Sequence, residues 1–499
     1  MNNTKLWRNY VGTFYGADVA ALRQLGQRIK TSRDTLSRLD ATLSQSIEAV
    51  RQWTGPDGLQ FRTDWGSIHR KALAEARALL GNAERAVLRN ADEQESASRA
   101  GGPSGTTAAA PGDGAGHSSD GRPDHSVPRF PDRGKPDLSD DQLKDLRDKI
   151  HAAADPDNFF KGNDADVDDL RKALEGLTPA QLNQLLGTLS DDELKNLGNG
   201  LASDGKGVFN WGGTTAFERQ AVLDQLLAKA SPEQVERIKA QIPWAQPDGI
   251  ASGDSANPDG GPQASKGWMT PKGPVISTSQ SILDIRQGGY GDCVVMAGLG
   301  ALIDQDPNWA RDHVTDNGNG TVSVKLNDGG QERWVTVTKD VPADENGNPQ
   351  GAKGNSGGTW SMYVEKALAQ VYNEDDANDP VNPGQPADQR YGPGHYRAIE
   401  GNYGTDAMKY LTDGKLTETH DSSDVWKAAD AGRPVIIGTK GEAPPHAPDG
   451  YVAGHEFFVT GVDDSGKLVL QNPWGPHKEP LHISKEEYES MFGHAVITG

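Results

Sequence analysis

Cys293 is the single cysteine among 499 residues, and it stands where a thiol could do chemistry. It closes the turn Gln287-Gly-Gly-Tyr-Gly-Asp-Cys293 and opens the apolar run 293–303. That run is too apolar for a surface helix and too short to cross a bilayer, so it predicts a buried helix with Cys293 in its first turn. There the outward-pointing backbone N–H groups and the helix dipole favour a thiolate, the form that attacks a carbonyl carbon. A lone cysteine is more often a small, inert core residue, so chemistry requires partners. A thiol nucleophile needs a base, and the base needs an orienting group. Of 12 histidines, His455 has suitable surroundings. A strand-like stretch begins at His455, Asp463-Asp-Ser-Gly466 forms a turn, and the returning stretch ends in Asn472-Pro-Trp-Gly475. Pairing across that turn sets His455 opposite Asn472, where the amide can hold one imidazole nitrogen and leave the other for the thiol.

The elements that must carry these groups differ along the chain. Residues 17–53 bear the stripe Leu22, Leu25, Ile29, Leu36, Leu39, Leu43, Ile47 and Val50, one face of a long helix. After Trp53-Thr54-Gly55-Pro56 a second stripe runs through Phe61, Trp65, Ile68, Leu73, Leu79 and Val87. The expected architecture is multidomain. It comprises an N-terminal α-helical hairpin (1–97), a Gly/Pro/Ser-rich linker (98–136), an all-α middle domain (137–245), a second linker (246–277) and a C-terminal α+β domain (278–499). In the middle domain, Ser139…Gln142, Thr178…Gln181, Ser190…Glu193 and Ser231…Gln234 match the capping-box pattern that opens short amphipathic helices. Asp164, Asp166, Asp168 and Asp169 lack the glycine and the terminal glutamate of a calcium loop and are read as a solvated acidic turn. This domain is expected to be a spacer or an interaction domain. In the last domain, 321–326 and 333–338 read as strands.

The Trp53-x-Gly55 turn between two long helices resembles the WXG (ESX-type) hairpin. That resemblance implies export from the cytoplasm by a type VII-like route, with a helical-hairpin partner or the secretion machinery as contact. The tyrosine-containing signal usual after the second helix is missing from 90–96.

A second resemblance covers about 278–498. Gln287-Gly-x-x-Gly-Asp-Cys293-x-x-x-Ala297, then Gly-His455 and Asn472-Pro-Trp-Gly, is similar to the catalytic core of the calpain family of papain-like cysteine proteases. Between them, Arg333–Pro342, Trp360-x-x-Tyr-Val-Glu365-Lys366-Ala367 and Ile399-Glu-Gly401 resemble the family's middle segments. The likeness implies a papain-like fold and a cysteine endopeptidase acting on protein substrates. Cys293 would be the nucleophile, His455 the general base and then acid, and Asn472 its orienting partner. Trp474 would shield that bond, and Gln287 would donate to the oxyanion with the Cys293 N–H. Val294 stands where the family usually has tryptophan, and Glu456 where a small residue is common. No cofactor is required for this chemistry. Calcium is implied as an activator, and the oxygen-rich loops 316–320 and 344–348 are its candidate holders, although hairpin turns explain them equally well; no metal ligand is assigned. Two other readings stay open: an interaction module that binds without cleaving, and an acyl-transfer enzyme of transglutaminase or amidase type on the same triad.

The totals set outer bounds. Fifty Lys and Arg against 71 Asp and Glu give a formal net charge of −21, which repels phosphate backbones and argues against nucleic acid as a partner. One cysteine excludes an internal disulfide and a multi-cysteine zinc site. No run reaches about 18 apolar residues and the first ten have no apolar signal core, so a soluble chain with no membrane insertion is expected.

Overall fold

The computed structural model divides the chain into two units, Met1–Asp113 and Gly114–Gly499. It describes residues 19–49, 65, 70, 77, 80, 88, 137–155, 164–202, 215–249, 267–277, 280–354, 358–372, 394–413 and 415–499. In the first unit the expected long helix is α1 (Val19–Ala49). Its stripe is only partly covered, with Leu39 49% and Leu43 43% exposed. Asp40 is buried on it and takes Arg70 Nε at 3.2 Å and Arg77 Nη1 at 3.3 Å. Trp65 Nε1 donates to Ser44 Oγ at 3.1 Å. The Trp53-Thr54-Gly55 turn, most of the expected second helix and the linker 98–136 lie outside the described residues.

The second unit opens with α2 (Asp140–Ala154), α3 (Asp164–Glu175), α4 (Pro179–Thr188), α5 (Asp191–Ala202), α6 (Ala216–Lys229) and α7 (Pro232–Gln241). Leu170, Leu174, Leu182, Leu185, Leu186 and Leu189 are buried in their common core. Ser139 with Gln142 and Thr178 with Gln181 form complete capping boxes, each cap worth about 1 kcal/mol. Ser190 and Glu193 reciprocate in the same way. Ser231 caps Gln234, but its own N–H goes to Asn183 Oδ1 instead of closing a box. The acidic group 164–169 is not a turn but the start of α3. Carboxylates suit a helix N-terminus, and Asp168 pairs with Arg171 and Lys172 one turn on.

The second linker is structured at its described ends. Gln246 Nε2 donates to Thr338 Oγ1 at 3.0 Å, and residues 267–269 form β1 (Gly267–Met269). Then come α8 (Cys293–Gln305), α9 (Trp309–His313), β2 (Val314–Asp316), β3 (Thr321–Asp328), β4 (Gln331–Thr338), β5 (Val341–Ala343) and α10 (Trp360–Val371). Strands β2, β3 and β4 make an antiparallel sheet in that order, and β1 pairs with β5. Helix α6 lies on the three-stranded sheet through bonds that are themselves buried. Asn319 Nδ2 donates to Leu227 O and Ala230 O, both at 2.8 Å, and Thr336 Oγ1 donates to Asp224 Oδ1.

The chain continues through α11 (Gly404–Leu411), β6 (Thr417–Thr419), α12 (Ser422–Asp430), β7 (Val435–Thr439), β8 (Glu456–Val462), β9 (Leu468–Gln471), β10 (Leu481–Ile483), α13 (Lys485–Met491) and β11 (Phe492–Ile497). The strands form a six-stranded antiparallel sheet ordered β10-β9-β8-β7-β11-β6. Strand alternation splits its faces: Ile436, Phe458 and Val496 join the core around α8, while Ile437, Phe457 and Val459 pack in a separate core with α12 and α13. Helix α8 approaches this sheet closely. A Cβ at Gly300 would lie 2.5 Å from the Phe458 ring, which explains a glycine inside a helix. The architecture is mixed helix and sheet, with α8 sharing one core with the three-stranded sheet and one face of the six-stranded sheet.

Candidate active site

Cys293 is the first residue of α8, as the apolar run predicts, and is half-buried. The turn ahead of it is bonded on three sides. Gln287 N–H donates to Pro473 O at 2.9 Å, Gly289 N–H to Gln350 O at 2.7 Å and Gly291 N–H to Glu400 Oε1 at 2.7 Å. Gly401 N–H returns a bond to Gly291 O at 3.0 Å. Only glycine fits at 288, where a Cβ would sit 1.9 Å from Gly351 O. The thiol lies against the Glu456 N–H, one residue along the chain from His455.

His455 is buried just before β8. Its N–H donates to Thr439 Oγ1 and its carbonyl accepts Thr439 N–H, both at 2.8 Å, so β7 fixes its backbone. The hairpin register differs from the expected one. Phe458 pairs with Gln471 and Val459 with Leu470, a line that leads to Trp474, not Asn472, opposite His455. Beside the turn Val462 pairs with Leu468, which centres the hairpin on Ser465 rather than between Asp463 and Asp464, and an irregularity between Val459 and Gly461 then shifts the pairing by one residue. The two side chains meet on the diagonal: His455 Nε2 is 3.0 Å from Asn472 Oδ1, and the Trp474 ring lies 4.9 Å from the imidazole.

The tautomer follows from a second bond. Trp474 N–H donates to Asn472 Oδ1 at 2.9 Å, so that atom must be the amide oxygen. An oxygen there can only accept, hence Nε2 carries the proton and Nδ1 keeps the lone pair. Burial lowers His455 to about 4, against a smaller upward pull from Asn472. Burial also pushes the Cys293 thiol up to about 12, with the Glu456 carboxylate adding to it. Both groups therefore rest neutral near pH 7. Among the described residues no hydrogen bond joins Sγ to the imidazole.

Gln287 is buried, and its Nε2 donates to Tyr290 O at 2.8 Å, within its own turn. Four acidic residues to which the sequence reading gave no catalytic role surround the turn and the thiol. Asp292 and Glu365 are fully enclosed carboxyls that interact directly, and burial raises both above the usual carboxylate range. Glu365 accepts Ala352 N–H with both oxygens, at 2.9 and 3.0 Å, and Glu400 holds Gly291. Glu456, noted before only as a departure, pairs with His494 Nε2 at 3.0 Å across Gly438, which cannot be larger without striking both. The one sequence signal for these was an acid directly before the cysteine and acids inside the middle motifs.

In the two candidate calcium loops the leading carboxylates have protein partners. Asp344 Oδ1 accepts Asn346 and Asn348 N–H at 2.8 and 2.9 Å, while Asp316 accepts Gly318 N–H and pairs with Lys339 at 2.7 Å. Among the described residues no group of three or more His, Cys, Asp or Glu could hold a metal ion. No helix among them is long and apolar enough to cross a membrane.

Residues 222–379 match the family model of the calpain family cysteine proteases. The match begins inside α6, within the region read as a spacer, and contains Cys293 but neither His455 nor Asn472. Calpain clp-4 of Caenorhabditis elegans is 26% identical over 231 residues, covering 41% of this chain and 29% of that protein. The chain thus spans less than a third of the curated relative it matches. Together these findings support a calpain-like cysteine endopeptidase domain, a hydrolase, in the C-terminal part.

Proposed function

We propose that the chain is a cysteine endopeptidase that cleaves protein substrates through Cys293, His455 and Asn472 on a papain-like domain. The observation that carries this reading is the Asn472 amide, which holds Nε2–H at 3.0 Å and leaves Nδ1 as a base at the end of the sheet beside the Cys293 helix start. Because thiol and imidazole rest neutral, attack is coupled to proton transfer: Sγ bonds to the scissile carbonyl carbon as its proton passes to Nδ1. The Cys293 N–H and the Gln287 amide stabilise the oxyanion. Collapse expels the amine, which takes the proton from the imidazolium. Water, deprotonated by the same nitrogen, then hydrolyses the thioester and restores the thiol.

The N-terminal unit supports an export reading, since α1 leaves Leu39 and Leu43 uncovered, as a helix with a hairpin partner would. On that reading the chain is a type VII-like effector carrying an enzyme behind a secretion module, cytoplasmic before export. Equal release by a parent strain and an export-deficient one rejects it. One observation favours an interaction module that does not cleave: a thiol held at about 12 with no bond to the imidazole.

Wild type and Cys293→Ala, each with fluorescent casein and with intact-mass readout, decide the matter. Cleavage lost in the variant supports the peptidase. Equal silence in both, with a Cys293 that iodoacetamide does not alkylate near neutral pH, moves the reading to the binding module. Calcium and EDTA arms test the implied activator.

A further inference from the structure

We infer that the helical region is a built-in positioning partner of Cys293, acting through the exit segment 244–249 and the Tyr290 hydroxyl. The inference rests on the peptidase reading for its kinetic consequence. After α7 the chain turns into the C-terminal core and is bonded at successive residues. Gln370 Nε2 donates to Trp244 O at 3.3 Å and Ala245 O at 3.0 Å. Asp248 N–H donates to Gly394 O, and Tyr396 N–H donates to Asp248 O, both at 2.9 Å. Tyr290 O–H then donates to Gly249 O at 2.7 Å.

Tyr290 lies in the turn before Cys293. It is wholly buried, and its ring stacks on Tyr396 at 4.5 Å and 20°. A buried phenol without an acceptor is costly, so the carbonyl of Gly249 fixes where this side chain ends. Its own carbonyl takes Gln287 Nε2 at 2.8 Å. One residue therefore couples the end of the helical region, through its hydroxyl, to the proposed oxyanion donor, through its backbone carbonyl, and to the nucleophile turn that contains it. The helical region is in turn fixed to the loop before β3 at Asn319 and to α10 by Gln220 Nε2, which donates to Gln370 Oε1 at 3.2 Å. A spacer would not place buried hydrogen bonds on the body it separates.

The test uses the full chain with Tyr290→Phe, which keeps the ring and removes the hydroxyl, and Gln370→Ala, which loosens the segment at 244–245. Each lost bond predicts a kcat about three- to tenfold lower with KM unchanged, and iodoacetamide alkylation of Cys293 slowed by a similar factor. Thermal melts run alongside separate this from general unfolding, which would move KM and melting together. A wild-type alkylation rate in both variants overturns the inference. So does a change confined to Tyr290→Phe, because the hydroxyl would then act within its turn alone. If wild-type protein cleaves nothing yet both variants alkylate slowly, the peptidase reading fails while the positioning role stands.

Discussion

The backbone N–H of Gln287 donates to the carbonyl of Pro473 at 2.9 Å. That bond ties the turn ahead of Cys293 to the loop carrying Asn472 and Trp474, so the proposed nucleophile and base are registered through main chain as well as through packing. Side chains on the two segments can then be tested separately for what each adds.

Gln287→Ala distinguishes an oxyanion donor from a brace. If Nε2 turns to the developing oxyanion, kcat falls about 10²- to 10³-fold, roughly 3–4 kcal/mol, with KM nearly unchanged. Losing only the bond to Tyr290 O costs about 1 kcal/mol and reads out as a lower melting temperature. Steady-state kinetics beside a melt check this, and a kcat loss under about tenfold reassigns the residue to bracing.

The pH profile follows from the buried imidazole. With His455 lowered to about 4, Nδ1 remains unprotonated well below the ordinary histidine range, so kcat/KM holds to roughly pH 5 and its acid limb lies near 4. A limb near 6.5 in the wild type would contradict this burial. Asn472→Ala removes the acceptor of Nε2–H, leaves a buried donor unpaired and lowers kcat/KM about ten- to a hundredfold.

Much of this was legible because it was local. A continuous apolar run after a glycine-rich turn foretold α8 with Cys293 at its head, and β3 and β4 followed from short stretches rich in β-forming residues. The register of β8 and β9 was not legible, because the residue that centres the turn sets every pairing: the Asp463 N–H bonds to Lys467 O, which puts that centre at Ser465, past the Asp463–Asp464 midpoint that would set His455 opposite Asn472. Asp164–Asp169 was misread since an acidic run looks the same at a turn and at a helix start. The docking of α6 could not be read either: Asn319 looked like a hairpin residue, and its acceptors Leu227 and Ala230 are distant in sequence. The acids around the turn were missed for the same reason, since burial and not spacing marks Asp292 and Glu365.

Glu456→Gln should make Cys293 a better nucleophile toward small electrophiles. The Glu456 carboxylate adds to the burial that raises the thiol, so its removal lowers the thiol's pKa and shifts the alkylation–pH curve to lower pH. His494, raised chiefly by its bond to Glu456, titrates at lower pH in the same variant, visible by NMR. An unmoved alkylation curve means that Glu456 is already neutralised by His494 and exerts no field on the thiol.

Glu365→Gln should change how stability depends on pH. Burial raises Glu365 well above the usual carboxylate range in the folded chain, whereas the unfolded chain ionises at an ordinary value of about 4.3. Below that value both states hold the proton and the group is neutral in the balance. Above it the unfolded chain releases the proton while the folded chain keeps it, so stability falls as pH rises, by up to about 1.4 kcal/mol per pH unit, until the folded group ionises too. Glutamine keeps an oxygen for Ala352 N–H and has no proton to release. Between about pH 5 and 7 the melting temperature of the wild type should therefore decline relative to the variant. Parallel curves over that window would mean that the pair is ionised in the folded chain and that a cation or ordered water, not a shared proton, offsets its charge.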